Sequence, residues 1–236
     1  LAMPLAARRL TPNRLLLFLA LLLVHLAASI IYFFYAQNFG ADTSLYYFDR
    51  IGMMRWPFQF GTIFVLRVTQ SLKGTIGGSY LDYFLLFQSV GFWGIVLMMR
   101  TFEEIHELLG AQPTVLANGL LFFPGLHFWG SAIGKDAPLL FATSLATWAA
   151  LSLRRRVILF AIALGVMVLI RPHVALIAVV ALALAASLQG RGNRLANIAL
   201  AVLAFAGAAY VATTVESTFQ LDVSNPDSVS DWIATK

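Results

Sequence analysis

The chain contains no cysteine, which removes disulfides, Cys-type zinc sites and thiol nucleophiles and leaves the redox compartment open. It is also short of charge. Asp, Glu, Lys and Arg make up 11% of the 236 residues, against about a quarter in soluble domains, and a soluble fold is excluded on that ground. The four histidines, His25, His106, His127 and His173, have neither HExxH nor paired spacing, so no histidine metal site is signalled. The alternation of apolar and polar residues that marks barrel strands is missing, as are internal repeats and low-complexity tracts. The basic residues, which leave a net charge of +5, are not gathered on a stripe with stacking aromatics, which argues against a nucleic-acid partner.

What the sequence does have is hydrophobicity: 60% of residues are apolar and the mean hydropathy is +0.81. The apolar residues fall in runs at Leu15–Tyr35, Tyr80–Met99, Thr114–Trp129, Ala137–Leu153, Val157–Ile170, Val174–Leu188 and Ala196–Thr213. Backbone groups in lipid must be satisfied within their own segment, so the runs predict helices. The fold class expected is an all-α polytopic transmembrane bundle of about seven crossings, one domain over residues 1–236, with a long outer loop after the first helix. The first run follows Arg8, Arg9 and Arg14 and is too long for a signal core, so it reads as a retained helix. The chain begins at Leu1 before Met3 and stops soon after the seventh run, which suits the N-terminal module of a longer protein.

Two junctions are set by punctuation. Arg171-Pro172-His173 divides a stretch too long for one crossing, because proline removes a donor and disfavours helix before it. Gly130 to Pro138 is a glycine and proline cluster carrying Lys135 and Asp136, which reads as a hairpin tip. Orientation follows from Arg154, Arg155 and Arg156 and from Arg191 and Arg194, which sit in tight connections and predict a cytoplasmic N-terminus. The outer face then carries the loop Ala36–Ser79, the tips at 130–137 and 171–173, and the tail from Val215. Within that loop, Arg50 to Lys73 mixes apolar and basic residues as a surface-lying helix does. Glu103, Glu104, His106 and Glu107 read as a solvated inner connector.

Candidate chemistry gathers on the outer face. Asp42 and Asp49, seven residues apart, share a face if the segment is helical. A carboxylate there can act as general base toward a sugar hydroxyl or hold a divalent cation, Asp42 being the metal candidate. The alternative for both is an interfacial aspartate capping a loop helix, with Tyr46 and Tyr47 in an aromatic belt. The second cluster runs from Phe123 to Asp136: its glycines permit close backbone approach to a ligand, Lys135 suits phosphate as a point charge, and His127 and Asp136 flank it. It is not a Walker loop, since Asp136 stands where a hydroxyl residue is required and no strand precedes it. The third is Arg171 with His173, a guanidinium recessed below the outer boundary that can fork onto phosphate. Asp82 lies near the same interface. His25, mid-helix, reads as a packed polar residue.

With those clusters named, the pattern resembles the GT-C superfamily of integral membrane glycosyltransferases, which includes protein mannosyltransferases and lipid A aminoarabinose transferases. The similar features are the acidic site after helix one, the long outer loop and the small-residue, charged hairpin. The resemblance implies a polyprenyl-phosphate sugar donor, a glycan, lipid or protein acceptor, and a site on the outer face of a bacterial cytoplasmic membrane. It makes Asp42, with Asp49, the catalytic carboxylate, and Tyr46, His127, Lys135, Asp136, Arg171 and His173 the substrate-binding residues. Gly134-Lys135-Asp136 and Arg171-Pro172-His173 depart toward bacterial exopolysaccharide and O-antigen polymerases, which use diphosphate-linked oligosaccharides. From other classes, a non-catalytic assembly protein would tolerate loss of the charged tips. A transporter calls for polar groups near the bilayer midplane and interrupted helices in paired repeats.

Overall fold

A computed structural model of the chain describes residues 12–110, 115–188, 202 and 206. All regular structure among the described residues is helical: α1 (Pro12–Phe39), α2 (Asp42–Phe48), a single 3-10 turn (Met53–Arg55), α3 (Thr62–Ile76), α4 (Tyr80–Leu109), α5 (Val115–Leu121), α6 (Pro124–Trp129), α7 (Asp136–Ala150), α8 (Leu153–Ile170) and α9 (Pro172–Leu188). Two of them, α1 and α4, are long and apolar enough to cross a membrane. The seventh run, the connector with Arg191 and Arg194, and the tail from Val215 lie outside the described residues, as do Arg8 and Arg9. The chain divides into two compact units, Leu1–Val166 and Met167–Lys236.

In the first unit α1 and α4 run antiparallel. Arg14 near the start of α1 pairs with Glu103 near the end of α4, while Phe33 near the far end of α1 stacks on Tyr80 and Phe84 at the start of α4. Between these ends Leu21, Phe92, Ile95, Met99 and Leu121 form a buried apolar cluster. The most extensive helix contact is between α4 and α7, and small residues make it possible. Gly94 lies against the Leu140–Phe141 backbone, and a Cβ on Gly91 would collide with the carbonyl oxygen of Gly130. Opposite them Ala142, Ala146 and Ala149 of α7 are buried at helical spacing, the small-on-small arrangement that lets helix backbones approach closely.

Three expectations change. The run Thr114–Trp129 is two helices of 7 and 6 residues, neither longer than about 11 Å. Tight i−3 bonds at Phe122 and Phe123 close α5, and Pro124, with no N–H to give, starts α6 afresh. Helix α4 does not stop at Met99 but continues to Leu109, where Gly110 caps it at φ +63°. The acidic stretch is therefore helical rather than a connector. Helix α3 forms within the basic segment Arg50 to Lys73, but Ile63, Val65, Leu66 and Thr69 on its apolar face are buried, so it packs on protein, against α2 and the 3-10 turn.

The first unit buries an apolar core with a few polar side chains inside it, and it exposes large apolar side chains as well. His25, Ser131 and His127 are at most 1% exposed, whereas Leu16 and Leu23 of α1 are 65% and 66% exposed. In the second unit the helix is interrupted at Arg171, the residue before Pro172, with Arg171 N–H still bonded to Met167 O.

Candidate functional site

Gly40, at φ +74°, ends α1 in a left-handed turn, and Ala41 is extended before α2 begins at Asp42. Asp42 is exposed in the first turn of that helix, where the free N–H groups favour a negative charge. One face of α2 is buried through Thr43, Tyr46 and Tyr47, the i, i+3, i+4 set. Thr43 Oγ1 and Tyr80 Oη are 2.6 Å apart, and Tyr47 Oη donates to Gly78 O at 2.8 Å. These bonds dock α2 on the start of α4. The carbonyls at its other end take Gln70 Nε2, which donates to Tyr46 O and Tyr47 O at 2.8 Å each. Lys73 Nζ donates to Tyr47 O at 3.1 Å and lies over the Tyr47 ring. A cation at the C-terminal carbonyls matches the negative end of the helix.

The segment 130–135 runs beneath this assembly. Ser131, Ala132 and Ile133 are buried, and the Tyr46 ring lies against Gly134. Lys135 is half-buried, and its ammonium donates to Thr62 Oγ1 at the start of α3, 3.2 Å away. The carboxylates of Asp42 and Asp136 both act electrostatically on the hydroxyl of Tyr32 in α1. Four helices and one turn thus gather Tyr32, Asp42, Tyr46, Thr62, Lys135 and Asp136. Of the sequence candidates, Asp42, Tyr46, Lys135 and Asp136 come together here.

Asp49 is not part of the gathered group: helix α2 ends at Phe48, and Asp49, its C-cap, is left-handed at φ +44° with its carboxylate turned to the segment that follows. Both Asp49 oxygens are occupied: Oδ1 accepts from Met53 N at 2.6 Å and Oδ2 from Met54 N at 3.1 Å, capping the 3-10 turn. Asp82 is likewise a cap, exchanging bonds with Ser79 at the start of α4. His127 is buried on α6, its Nδ1 3.3 Å from Nδ1 of His25. Arg171, half-buried, and His173, exposed, belong to the second unit at the break between α8 and α9.

Family models, curated proteins and solved structures offer no match to the chain.

Two clusters were not legible in the sequence. At the opposite end of α1, Glu103 pairs with Arg14 and with Arg100, and Glu104 pairs with Arg156, whose guanidinium lies over Trp148. This belt ties α1, α4 and α8 together where the sequence suggested solvated charge; the clue was the match of three arginines to neighbouring acids. The other is the pair His25–His127, separated by 102 residues. A single histidine in each of two runs gave no sign that they meet. Among the described residues no group of three or more His, Cys, Asp or Glu is placed to hold a metal.

Proposed function

We propose that this chain is an integral membrane glycosyltransferase that moves a sugar from a polyprenyl-phosphate donor to an acceptor hydroxyl at the outer face of the membrane. The observation that carries the reading is the gathering of Asp42 and Lys135, with Tyr46, Thr62 and Asp136, at the end of the first unit opposite the Arg14–Glu103 pair. Its support as a membrane protein is the exposure of large apolar side chains along α1 and α4, together with two helices of spanning length. Such a surface costs nothing in lipid and is strongly unfavourable in water.

In this reading the lipid tail stays among the exposed leucines while sugar and phosphate lie at the boundary. Asp42 takes the proton of the acceptor hydroxyl as the new bond to the anomeric carbon forms. The bond from that carbon to the phosphate oxygen breaks, and its electron pair leaves on the phosphate. Lys135, held by Thr62, faces the charge that develops there. A divalent cation, where one is used, would be held by Asp42 beside the phosphate and would help neutralise the departing charge, as Mg²⁺ bound by one or two carboxylates does. Asp49 has no part in the chemistry, because its oxygens hold the 3-10 turn.

A second reading has its own observations. The broken helix α5–α6 and the buried group His25, Ser29, Gln88 and His127 midway along α1 are features that transport requires. One experiment separates the two: membranes with matched amounts of each variant are assayed for transfer from labelled polyprenyl-linked sugars and, in sealed vesicles, for uptake of the free sugar. Transfer should fall by at least about 100-fold in Asp42→Asn and in Lys135→Ala, with His25→Phe keeping transfer; Arg171→Ala tests the phosphate role that the sequence suggests. Unchanged transfer in both Asp42→Asn and Lys135→Ala removes the proposal, and uptake lost in His25→Phe alone replaces it with transport.

A further inference from the structure

His25 and His127 meet ring to ring in the interior of the first unit, 0% and 1% exposed. Each ring has one nitrogen committed to a backbone carbonyl: His25 Nε2 is 3.1 Å from Gln88 O, and His127 Nε2 is 2.8 Å from Leu121 O. A carbonyl oxygen only accepts, so both Nε2 atoms carry the hydrogen, and in a neutral imidazole the other nitrogen is then a bare lone pair. Both bare atoms are Nδ1, and they face one another at 3.3 Å. Two lone pairs aimed together in a dry interior repel unless an electrophile lies between them.

We propose that this pair is a binding site for one imidazole-seeking transition-metal cation, zinc or copper, held between Nδ1 of His25 and Nδ1 of His127. The hydrogen bonds behind the rings are the arrangement that metal-ligating histidines use, in which the second ring nitrogen donates to a carbonyl and fixes tautomer and orientation. The spacing fits as well. With bonds of roughly 2.0–2.1 Å, two nitrogens on a tetrahedral zinc ion stand about 3.3–3.4 Å apart. Ser29, one turn further along the same face of α1 and buried, has the next hydroxyl along that side. The elements packed on the pair contribute Gln88, Gly91 and Phe92 from α4 and Gly130 and Ser131 from the turn, none of them charged. That neutrality favours monovalent copper, while the nitrogen spacing favours zinc, and the shared chemistry is two neutral imidazole nitrogens. The proposal does not depend on the glycosyl-transfer reading.

The full chain, stripped of metal with a chelator in detergent, would be loaded separately with Zn²⁺, with Cu⁺ under reductant, and with Mg²⁺ as a control, then desalted. One equivalent of zinc or of copper should remain, and none of magnesium. His25→Phe and His127→Phe should each weaken retention by at least about 100-fold, a first-ligand loss exceeding the 10–100-fold of supporting groups. His106→Ala and His173→Ala should leave it unchanged. X-ray absorption on the loaded parent protein should show two imidazole nitrogens, a result that needs no folded variant. Loss of all metal on desalting, retention that survives both Phe substitutions, or a metal spectrum without imidazole overturns the proposal.

Discussion

The carboxylate of Asp49 accepts two backbone N–H groups while its own backbone is left-handed, and asparagine tolerates that conformation with one acceptor retained. Asp49→Asn is therefore expected to lower thermal stability only slightly and to leave transfer intact. Asp49→Ala, which loses both acceptors and strains at positive φ, should cost about 1–2 kcal/mol, read from unfolding in detergent. Asp42→Asn should do the reverse: the side chain is exposed, so stability should hold while transfer collapses. If Asp49→Asn abolished transfer as Asp42→Asn does, the division of labour between the two carboxylates would be wrong. Sequence spacing put both aspartates in one outer segment and rightly weighed a capping alternative, but it had no means of telling which was the cap. That distinction rests on the helix ending at Phe48, one residue before Asp49, and a helix of 7 residues is set by its contacts with Gln70, Lys73 and Tyr80 rather than by its own pattern.

Helix by helix, legibility followed punctuation. Pro172 and the Gly130–Pro138 cluster were readable as breaks, and helices do end or begin at both. Pro124 is equally visible, yet the run around it reads as one helix because its hydropathy is continuous; hydropathy measures burial in lipid and says nothing of a missing N–H. The overrun of α4 was hidden for another reason. Acidic residues at 103–107 read as solvated until the arginines of α1 and α8 that neutralise them are brought alongside, which is tertiary information. The α4–α7 contact offers a sharper test. Gly94→Ala places a methyl group 2.9 Å from the Phe141 backbone nitrogen of α7, so relief requires moving a helix. A loss of about 1–3 kcal/mol is expected. Gly165→Ala in α8 meets nothing within 4 Å and should be neutral or stabilising by up to about 1 kcal/mol. Equal unfolding midpoints for the two variants would show that α4 and α7 are not in this close register.

For the molecule as a whole, the sequence carried the helical class and the apolar exterior through composition alone, and it anticipated the two poles, though not which residues close them. The arrangement of α1 and α4 makes that polarity testable. Their antiparallel packing puts the Asp42–Lys135 group and the Arg14–Glu103 belt at opposite ends, and a helix of 28 residues, roughly 42 Å at about 1.5 Å per residue, separates the ends by more than the thickness of a hydrocarbon layer. Because the chain has no cysteine, single substitutions report position without background. Phe60 and Leu109 are both exposed, Phe60 in the arch between α2 and α3 and Leu109 at the far end of α4. In intact cells an impermeant maleimide should label Phe60→Cys, and Leu109→Cys only after the membrane is opened. The reverse order would keep the fold and invert the orientation, moving the proposed site to the cytoplasmic face, where a lipid-linked donor would have to be presented before it crosses the membrane. Labelling of both positions without permeabilisation would mean that α4 does not span, and the exposed leucines would then need a protein partner to cover them instead of lipid.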